Sequence, residues 1–199
     1  VKSLIIMSMP FAGAPDMKME KNSLNFINKN LQKLKPKRKH YQVYFSSPSA
    51  SKNMENSEIG LTKFLRNYFF YKSHNYVFNK PFKIKNYDPK VLAQMPEYYI
   101  MKNNLGMSET VKDIFPKTKK EKNFFNWMKS SDLKVFTKNF RISGFKYPLY
   151  WYKAMISNWE KKNIYKLMLP KSVSTPTLFI AGKSDWGIYQ KPGDLDKMR

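Results

Sequence analysis

The sequence predicts an α/β fold in which two parallel core strands bracket a mainly helical insertion. Residues 4–7 (LIIM) and 177–181 (TLFIA) are short apolar runs, closed by Pro10 and Gly182 respectively. Such runs are typical of parallel strands that are covered on both faces. Between them we find no comparable strand, and apolar residues recur at helical spacing instead.

Three segments of the insertion show the periodicity of amphipathic helices, with apolar residues three and four positions apart. We expect Ser131 to be the N-cap of the second helix, Asp132 to favour its dipole, and Gly144 to end it. The third helix should begin near Pro148, which a first helical turn tolerates. The apolar stripes are Leu61, Phe64, Leu65, Tyr68 and Phe69; Leu133, Phe136 and Phe140; and Tyr152, Met155, Ile156 and Trp159.

A sheet of two strands cannot cover both of its faces, so we expect these residues to belong to a larger α/β fold. The expected organisation is a partial core strand at 1–12, a connecting loop and helical lid at 13–170, and a second core strand with its acid loop at 171–199. The insertion would sit at the carboxyl ends of the strands, where open α/β folds bind their ligands. A self-contained domain of mixed α+β structure is the alternative.

The composition excludes several classes of protein. The 199 residues include no Cys, which rules out disulfide scaffolds, thiolate metal sites and cysteine nucleophiles, and the two distant histidines suggest no metal site. The 37 Lys and Arg against 14 Asp and Glu give a net charge of +23, which keeps a nucleic-acid or anionic-surface binder as an alternative of another class. Only four of these cations are Arg, the residue that phosphate and guanine contacts favour. We therefore expect a solvated basic surface and no nucleic-acid partner.

The sequence carries no recognisable targeting or membrane-spanning segment. The apolar run at 4–7 is too short for a signal peptide, and no apolar stretch approaches the roughly 18 residues of a membrane helix. We expect a cytoplasmic protein without a membrane span.

Four segments, in chain order, resemble the soluble epoxide hydrolases of the α/β-hydrolase superfamily, and together they cover nearly the whole chain. Residues 1–11 are similar to the strand and Pro-Phe turn that follow the nucleophile helix, and 40–48 (HYQVYFSSP) to the beginning of the lid. Residues 143–153 (SGFKYPLYWYK), followed by Asn158-Trp159, resemble the lid helix. Residues 176–190 (PTLFIAGKSDWGIYQ) are similar to the strand and loop that bear the catalytic acid. Residues 96–101 (PEYYIM) look like one branch of the family, without an assigned chemistry.

The resemblance implies a reaction that opens an epoxide with water to a vicinal diol and needs no cofactor. Tyr41 and Tyr152 match the two lid tyrosines that hydrogen-bond the epoxide oxygen, with Tyr44 as a rival for Tyr41. A phenol suits this role, because a reference pKa of about 10 keeps it protonated at neutral pH while it supports a developing alkoxide. Asp185 matches the acid that orients the catalytic histidine.

Phe45, Trp186 and Pro10 are expected to line the substrate pocket by the same resemblance. Each candidate also has a purely structural interpretation. An aromatic residue can belong to the core with its polar atom at the edge, and Asp185 can simply cap the helix that follows it.

The remaining catalytic groups are expected outside these residues. The family's nucleophilic Asp should precede Val1 and its His should follow Arg199, so we expect the 199-residue chain alone to be inactive. His40 and His74 precede Asp185 in lid segments and are not expected to be catalytic. A haloalkane or haloacid dehalogenase of the same fold, or a non-catalytic descendant, stays an alternative, and the identity of the epoxide and the formation of a homodimer stay open.

Overall fold

The computed structural model describes residues 1–13, 23–157 and 172–198, and it has a mixed helix-and-sheet architecture. The two predicted strands, β1 (Leu4–Met7) and β4 (Thr177–Ile180), pair in parallel. Leu4 lies opposite Thr177 and Met7 opposite Ile180. The prediction of two parallel strands that bracket a helical region is confirmed.

A second small sheet corrects the expectation that the insertion contains no strand. β2 (Arg38–His40) pairs antiparallel with β3 (Ile100–Lys102). Each strand has three residues, too few for an alternating pattern to show in the sequence. Ile100 and Met101 of β3 are fully buried.

Eleven α-helices and one 3₁₀ helix make up the rest of the regular structure in the described residues. The α-helices are α1 (Leu24–Leu31), α2 (Tyr41–Phe45), α3 (Ser49–Glu55), α4 (Leu61–Lys72), α5 (Pro89–Leu92), α6 (Met107–Val111), α7 (Lys119–Lys122), α8 (Phe124–Trp127), α9 (Ser130–Ser143), α10 (Lys146–Ser157) and α11 (Asp194–Met198); the 3₁₀ helix is Trp186–Ile188. No helix among these residues is long and apolar enough to cross a membrane.

Helix α4 buries a wider arc than its predicted stripe. Phe64 and Leu65 are buried as expected, but Phe70 and Tyr71 are buried as well. Asn67 lies on the same buried side, where its Nδ2 donates to the backbone oxygens of Val111 (3.0 Å) and Lys112 (3.0 Å). The amide thereby satisfies carbonyls at the end of α6 that the helix itself leaves unpaired.

Helix α9 begins one residue before the predicted N-cap. Lys129 precedes its first residue, so the assignment of Ser131 as N-cap was wrong. Asp132 instead accepts a hydrogen bond from Lys129 N through Oδ2 (2.9 Å), which satisfies a free amide of the first turn. Gly144 ends the helix with φ +62°, as predicted.

The expected cover over both faces of the β1–β4 sheet is absent from the described residues. Ile5 is 60% exposed and Leu178 56% exposed. The main core lies in the helical region instead, and Trp186 is the buried residue of the 172–198 segment that belongs to it. Pro10 is also buried.

Candidate functional site

The structure brings the two predicted proton donors into contact. Tyr41 opens α2 and Tyr152 lies in the middle of α10, and their ring centroids are 5.9 Å apart with an interplanar angle of 74°. Phe45 packs against both rings, at 5.7 Å from Tyr41 and 5.1 Å from Tyr152. Three residues that the family resemblance singled out therefore form one cluster.

Tyr41 is positioned by the small β2–β3 sheet. Its backbone N donates to Tyr99 O (2.8 Å), which continues the ladder by one residue. The preceding His40 is the N-cap of α2, and its Nδ1 accepts from Gln42 N (3.3 Å). Asn28 Oδ1 accepts from His40 N (2.8 Å), so side chains hold the backbone on both sides of the junction between β2 and α2.

Tyr152 is positioned by the turn between α9 and α10. Glu55 Oε1 accepts from Phe145 N (2.8 Å) and from Ser51 Oγ (2.7 Å), which ties the turn to α3. Phe145 is buried and stacks on Phe140 at 4.4 Å. A Cβ on Gly144 would meet Glu55 Oε1, so this close approach requires glycine.

The buried face of α10 differs in part from its predicted stripe. Leu149 is buried and Tyr152 and Ile156 are half-buried, whereas Met155 is exposed. Trp159 and Asn158 lie outside the described residues. The helix begins at Lys146, which places Pro148 within its first turn as predicted.

Asp185 lies in the loop that follows β4. Its Oδ1 accepts from Gly187 N (2.7 Å) and so caps the 3₁₀ helix, as the structural interpretation expected. In the described residues this is the only hydrogen bond of the carboxylate, so Oδ2 is free for a second donor. A Cβ on Gly187 would meet Ser8 Oγ, which brings the end of β1 against the same loop.

A buried amide joins this acid loop to the lid. Asn79 Nδ2 donates to the backbone oxygens of Lys72 (3.1 Å), Ser73 (3.0 Å) and Ser184 (3.0 Å). Its Oδ1 accepts from the indole Nε1 of Trp186 (2.9 Å). The two residues on either side of Asp185 are thus held by one side chain. Nothing in the sequence indicated this role.

Trp186 occupies a packing position. It is 3% exposed, its indole N–H is bonded to Asn79, and its ring meets Phe82 edge-on at 5.1 Å. Its contact with substrate stays a prediction, as does that of Pro10.

Burial acts on the tyrosine hydroxyl groups of the cluster. Burial raises the pKa of Tyr41, and the neighbouring Tyr152 raises it further. Burial also raises the pKa of Tyr152, with a contribution from Tyr68. For Tyr99, burial raises the pKa first, then Tyr41 and the Asp185 carboxylate. Of these three phenols, Tyr99 is the one on which the Asp185 carboxylate acts electrostatically. The raised pKa values keep all three phenols protonated at neutral pH.

The Tyr41 hydroxyl points toward the acid-loop side of the cluster. Its Oη donates to Gln190 Oε1 at 3.5 Å and accepts from Gln42 Nε2 at 3.2 Å. The bond to Gln190 is long, and a better acceptor, such as an epoxide oxygen, can replace it at little cost.

Two tyrosines of this region had no predicted role. Tyr99 comes from segment 96–101, and Tyr68 from the stripe of α4. Lys72 Nζ lies 5.0 Å from the ring centroid of Tyr68 and 6.0 Å from that of Tyr99, and it donates to Tyr68 Oη (3.4 Å). Only the resemblance of segment 96–101 hinted at this part of the site.

A groove lies beside the tyrosine pair. It has a volume of about 860 Å³ between α3 and the α9–α10 turn. Phe45 lines it, whereas Tyr41, Tyr152 and Asp185 do not. Phe45 therefore lies between this groove and the tyrosine pair.

Neither histidine has the environment of a catalytic base. Burial lowers the pKa of His40 to about 4, and its Nδ1 is already an acceptor in the helix cap. His74 is exposed, and its Nδ1 lies 3.0 Å from Ser184 Oγ. Among the described residues no group of His, Asp and Glu could hold a metal ion.

Comparison of the chain with protein-family models, curated proteins and solved structures finds no match.

Proposed function

We propose that this chain supplies the lid and the acid loop of an epoxide hydrolase with the α/β-hydrolase fold. The single observation that carries the proposal is the contact between Tyr41 and Tyr152, whose rings lie 5.9 Å apart. Two protonated phenols in one weakly solvated place can donate to the same oxygen atom.

The sheet supports the same proposal. In an α/β hydrolase the strands of β1 and β4 would be covered by further strands and helices, and both carry exposed apolar side chains here, Ile5 and Leu178 among them. Asp185 follows β4 directly, at the carboxyl end of a parallel strand, where this fold places its catalytic groups.

In the proposed reaction, a carboxylate from another part of the fold attacks an epoxide carbon and breaks the C–O bond. The negative charge develops on the departing oxygen, and Tyr41 and Tyr152 stabilise it and supply the proton that makes it a hydroxyl. The product of this half-reaction is a covalent ester. A histidine, oriented by Asp185, then takes a proton from water, and the hydroxide attacks the ester carbonyl. The C–O bond of the ester breaks, the diol leaves with the carboxyl proton, and the carboxylate is restored. The imidazolium returns its proton through solvent to the tyrosinate left by the first half-reaction.

The free oxygen of Asp185 fits this second step. Its Oδ1 is fixed by Gly187 N, which orients the carboxylate without using Oδ2. An imidazole N–H that binds Oδ2 would be held in one tautomer, and the imidazolium would be stabilised when water is deprotonated.

The test is the isotopic origin of the diol oxygen. The full-length protein is incubated with a smaller molar amount of styrene oxide in water enriched in oxygen-18, so that each enzyme molecule turns over at most once. We expect diol with unlabelled new oxygen, because that oxygen comes from the carboxylate nucleophile. Diol labelled at the first turnover would contradict the covalent route, and the absence of any diol formation from several aryl and alkyl epoxides would contradict the proposed function.

A further inference from the structure

Helix α10 carries apolar side chains on two opposite sides. Leu149, Tyr152 and Ile156 lie on the inner side, toward the tyrosine cluster. Tyr147, Trp151 and Met155, spaced four residues apart, lie on the other side. Trp151 is 69% exposed and Tyr147 68% exposed, so neither side chain is buried by the rest of the fold. A helix that is apolar on both sides is usually covered on both sides.

Neighbouring residues extend the exposed surface. Ile142, in the last turn of α9, is 78% exposed and lines the same groove as Tyr147 and Tyr150. We call the surface formed by Ile142, Tyr147, Tyr150 and Trp151 the outer lid face. Tyr152, which is half-buried, lies on the opposite side of α10 from the exposed Tyr147 and Trp151.

The surroundings of the outer lid face are strongly basic. The stretch 133–157 contains no Asp or Glu, and its cations are Lys134, Lys138, Arg141, Lys146 and Lys153. Lys146 Nζ lies 5.7 Å from the ring centroid of Tyr147, and Lys153 Nζ 5.8 Å from that of Tyr150. Glu55 is the acidic neighbour, and its Oε1 is bonded to Phe145 N.

We propose that the outer lid face docks on the surface of an anionic lipid bilayer. Exposed Trp and Tyr side chains favour the boundary between headgroups and acyl chains, because they combine a large apolar body with one polar atom. Lysine and arginine side chains next to them are attracted to anionic headgroups. The face therefore matches a membrane surface both in polarity and in charge. The inference does not depend on the proposed enzymatic function.

Other occupants fit less well. A second copy of the chain would bring two basic surfaces together, and like charges oppose that association. A nucleic acid would satisfy the cations but leave Ile142 in water.

The test is co-sedimentation of the full-length protein with vesicles of 70% phosphatidylcholine and 30% phosphatidylserine. We expect binding to these vesicles and at least tenfold weaker binding to pure phosphatidylcholine. The triple variant Lys138→Gln, Arg141→Gln, Lys146→Gln should lower the partition coefficient roughly a hundredfold, at about fivefold per cation. The double variant Tyr147→Ser, Trp151→Ser should lower it at least tenfold.

Matched controls remove the same groups elsewhere. Lys119→Gln, Lys120→Gln, Lys122→Gln deletes three exposed cations of α7, and Phe78→Ser deletes an exposed aromatic outside the face. Both controls should bind within about fivefold of the parent.

Four results would each overturn the proposal. These are equal binding to uncharged vesicles, equal losses in the control variants, a dimer in which Trp151 is protected, or binding to duplex DNA that is tighter than binding to the anionic vesicles.

Discussion

Tyr41 and Tyr152 lie edge to face in the half-buried interior of the lid, although one opens a five-residue helix near β2 and the other lies within α10. Two separate sets of hydrogen bonds hold these tyrosines in place. The β2–β3 ladder and the His40 cap fix Tyr41, and the Glu55 contact to Phe145 fixes the helix of Tyr152. A substitution that breaks either set of hydrogen bonds should therefore change the positions of the two tyrosine rings.

Replacing Asn79 by Ala should destabilise the protein by about 2–4 kcal/mol, because it leaves the buried indole N–H of Trp186 and the carbonyl of Ser184 without a partner. Urea denaturation measures the change. The matched control is Asn75→Ala, which removes an Asn–Trp hydrogen bond to the exposed Trp127 and should cost less than about 1 kcal/mol. Equal losses in the two variants would mean that Asn79 does not hold the acid loop.

Acidification should destabilise the protein through His40. Burial lowers its pKa to about 4 in the folded state, whereas the unfolded value is about 6.5. Between these values the unfolded chain binds a proton that the folded chain does not, so this stability is present above pH 6.5 and lost as the pH falls toward 4. The variant His40→Asn keeps a side-chain acceptor for the cap of α2 but has no side chain that binds a proton in this pH range.

The loss of unfolding free energy between pH 7 and pH 5 should be smaller in His40→Asn than in the parent by about 2 kcal/mol. The comparison between parent and variant removes the contribution of the carboxylates, which both proteins share. If the unfolding free energies of parent and variant changed equally with pH, this would contradict the burial of a neutral imidazole between β2 and α2.

Replacing Gly144 by Ala should cost more than replacing Gly60 by Ala. Both glycines have positive φ, +62° and +78°, so both substitutions carry a backbone strain of about 1–2 kcal/mol. Only at Gly144 would the new Cβ meet another residue, Glu55 Oε1. We expect Gly144→Ala to lower the free energy of unfolding by about 2–4 kcal/mol. Thermal unfolding of both variants measures the difference between them. An equal cost would show that the turn does not rest on Glu55.

The sequence predicted the two strands that are continuous apolar runs, β1 and β4, and the helices that carry a clear apolar stripe. The strand β2 was not predicted because Arg38, Lys39 and His40 are all polar, and three such residues show no alternation of apolar and polar side chains. The N-cap at Ser131 was wrong because four polar residues precede the stripe of α9, and the sequence pattern does not decide which of them is the N-cap.

The candidate site was predicted only in part. Tyr41, Tyr152 and Phe45 came together as their motifs implied. Asn79 could not be found in this way, since its partners are backbone carbonyls and an indole more than a hundred residues along the chain. Tyr68 and Tyr99 joined the cluster through the packing of α4 and β3, which no local pattern encodes.

The most direct test of the central claim is epoxide turnover by three single variants of the full-length protein, Tyr41→Phe, Tyr152→Phe and Tyr150→Phe. Tyr150 lies on the same helix as Tyr152 but is exposed on its outer side. Tyr150→Phe therefore tests whether the loss of any phenol from this helix lowers turnover. We expect kcat to fall at least about tenfold in each of the first two variants, because each loses one donor to the departing oxygen. Tyr150→Phe should match the parent. Unchanged turnover in Tyr41→Phe and Tyr152→Phe, or an equal loss in all three variants, would contradict the account.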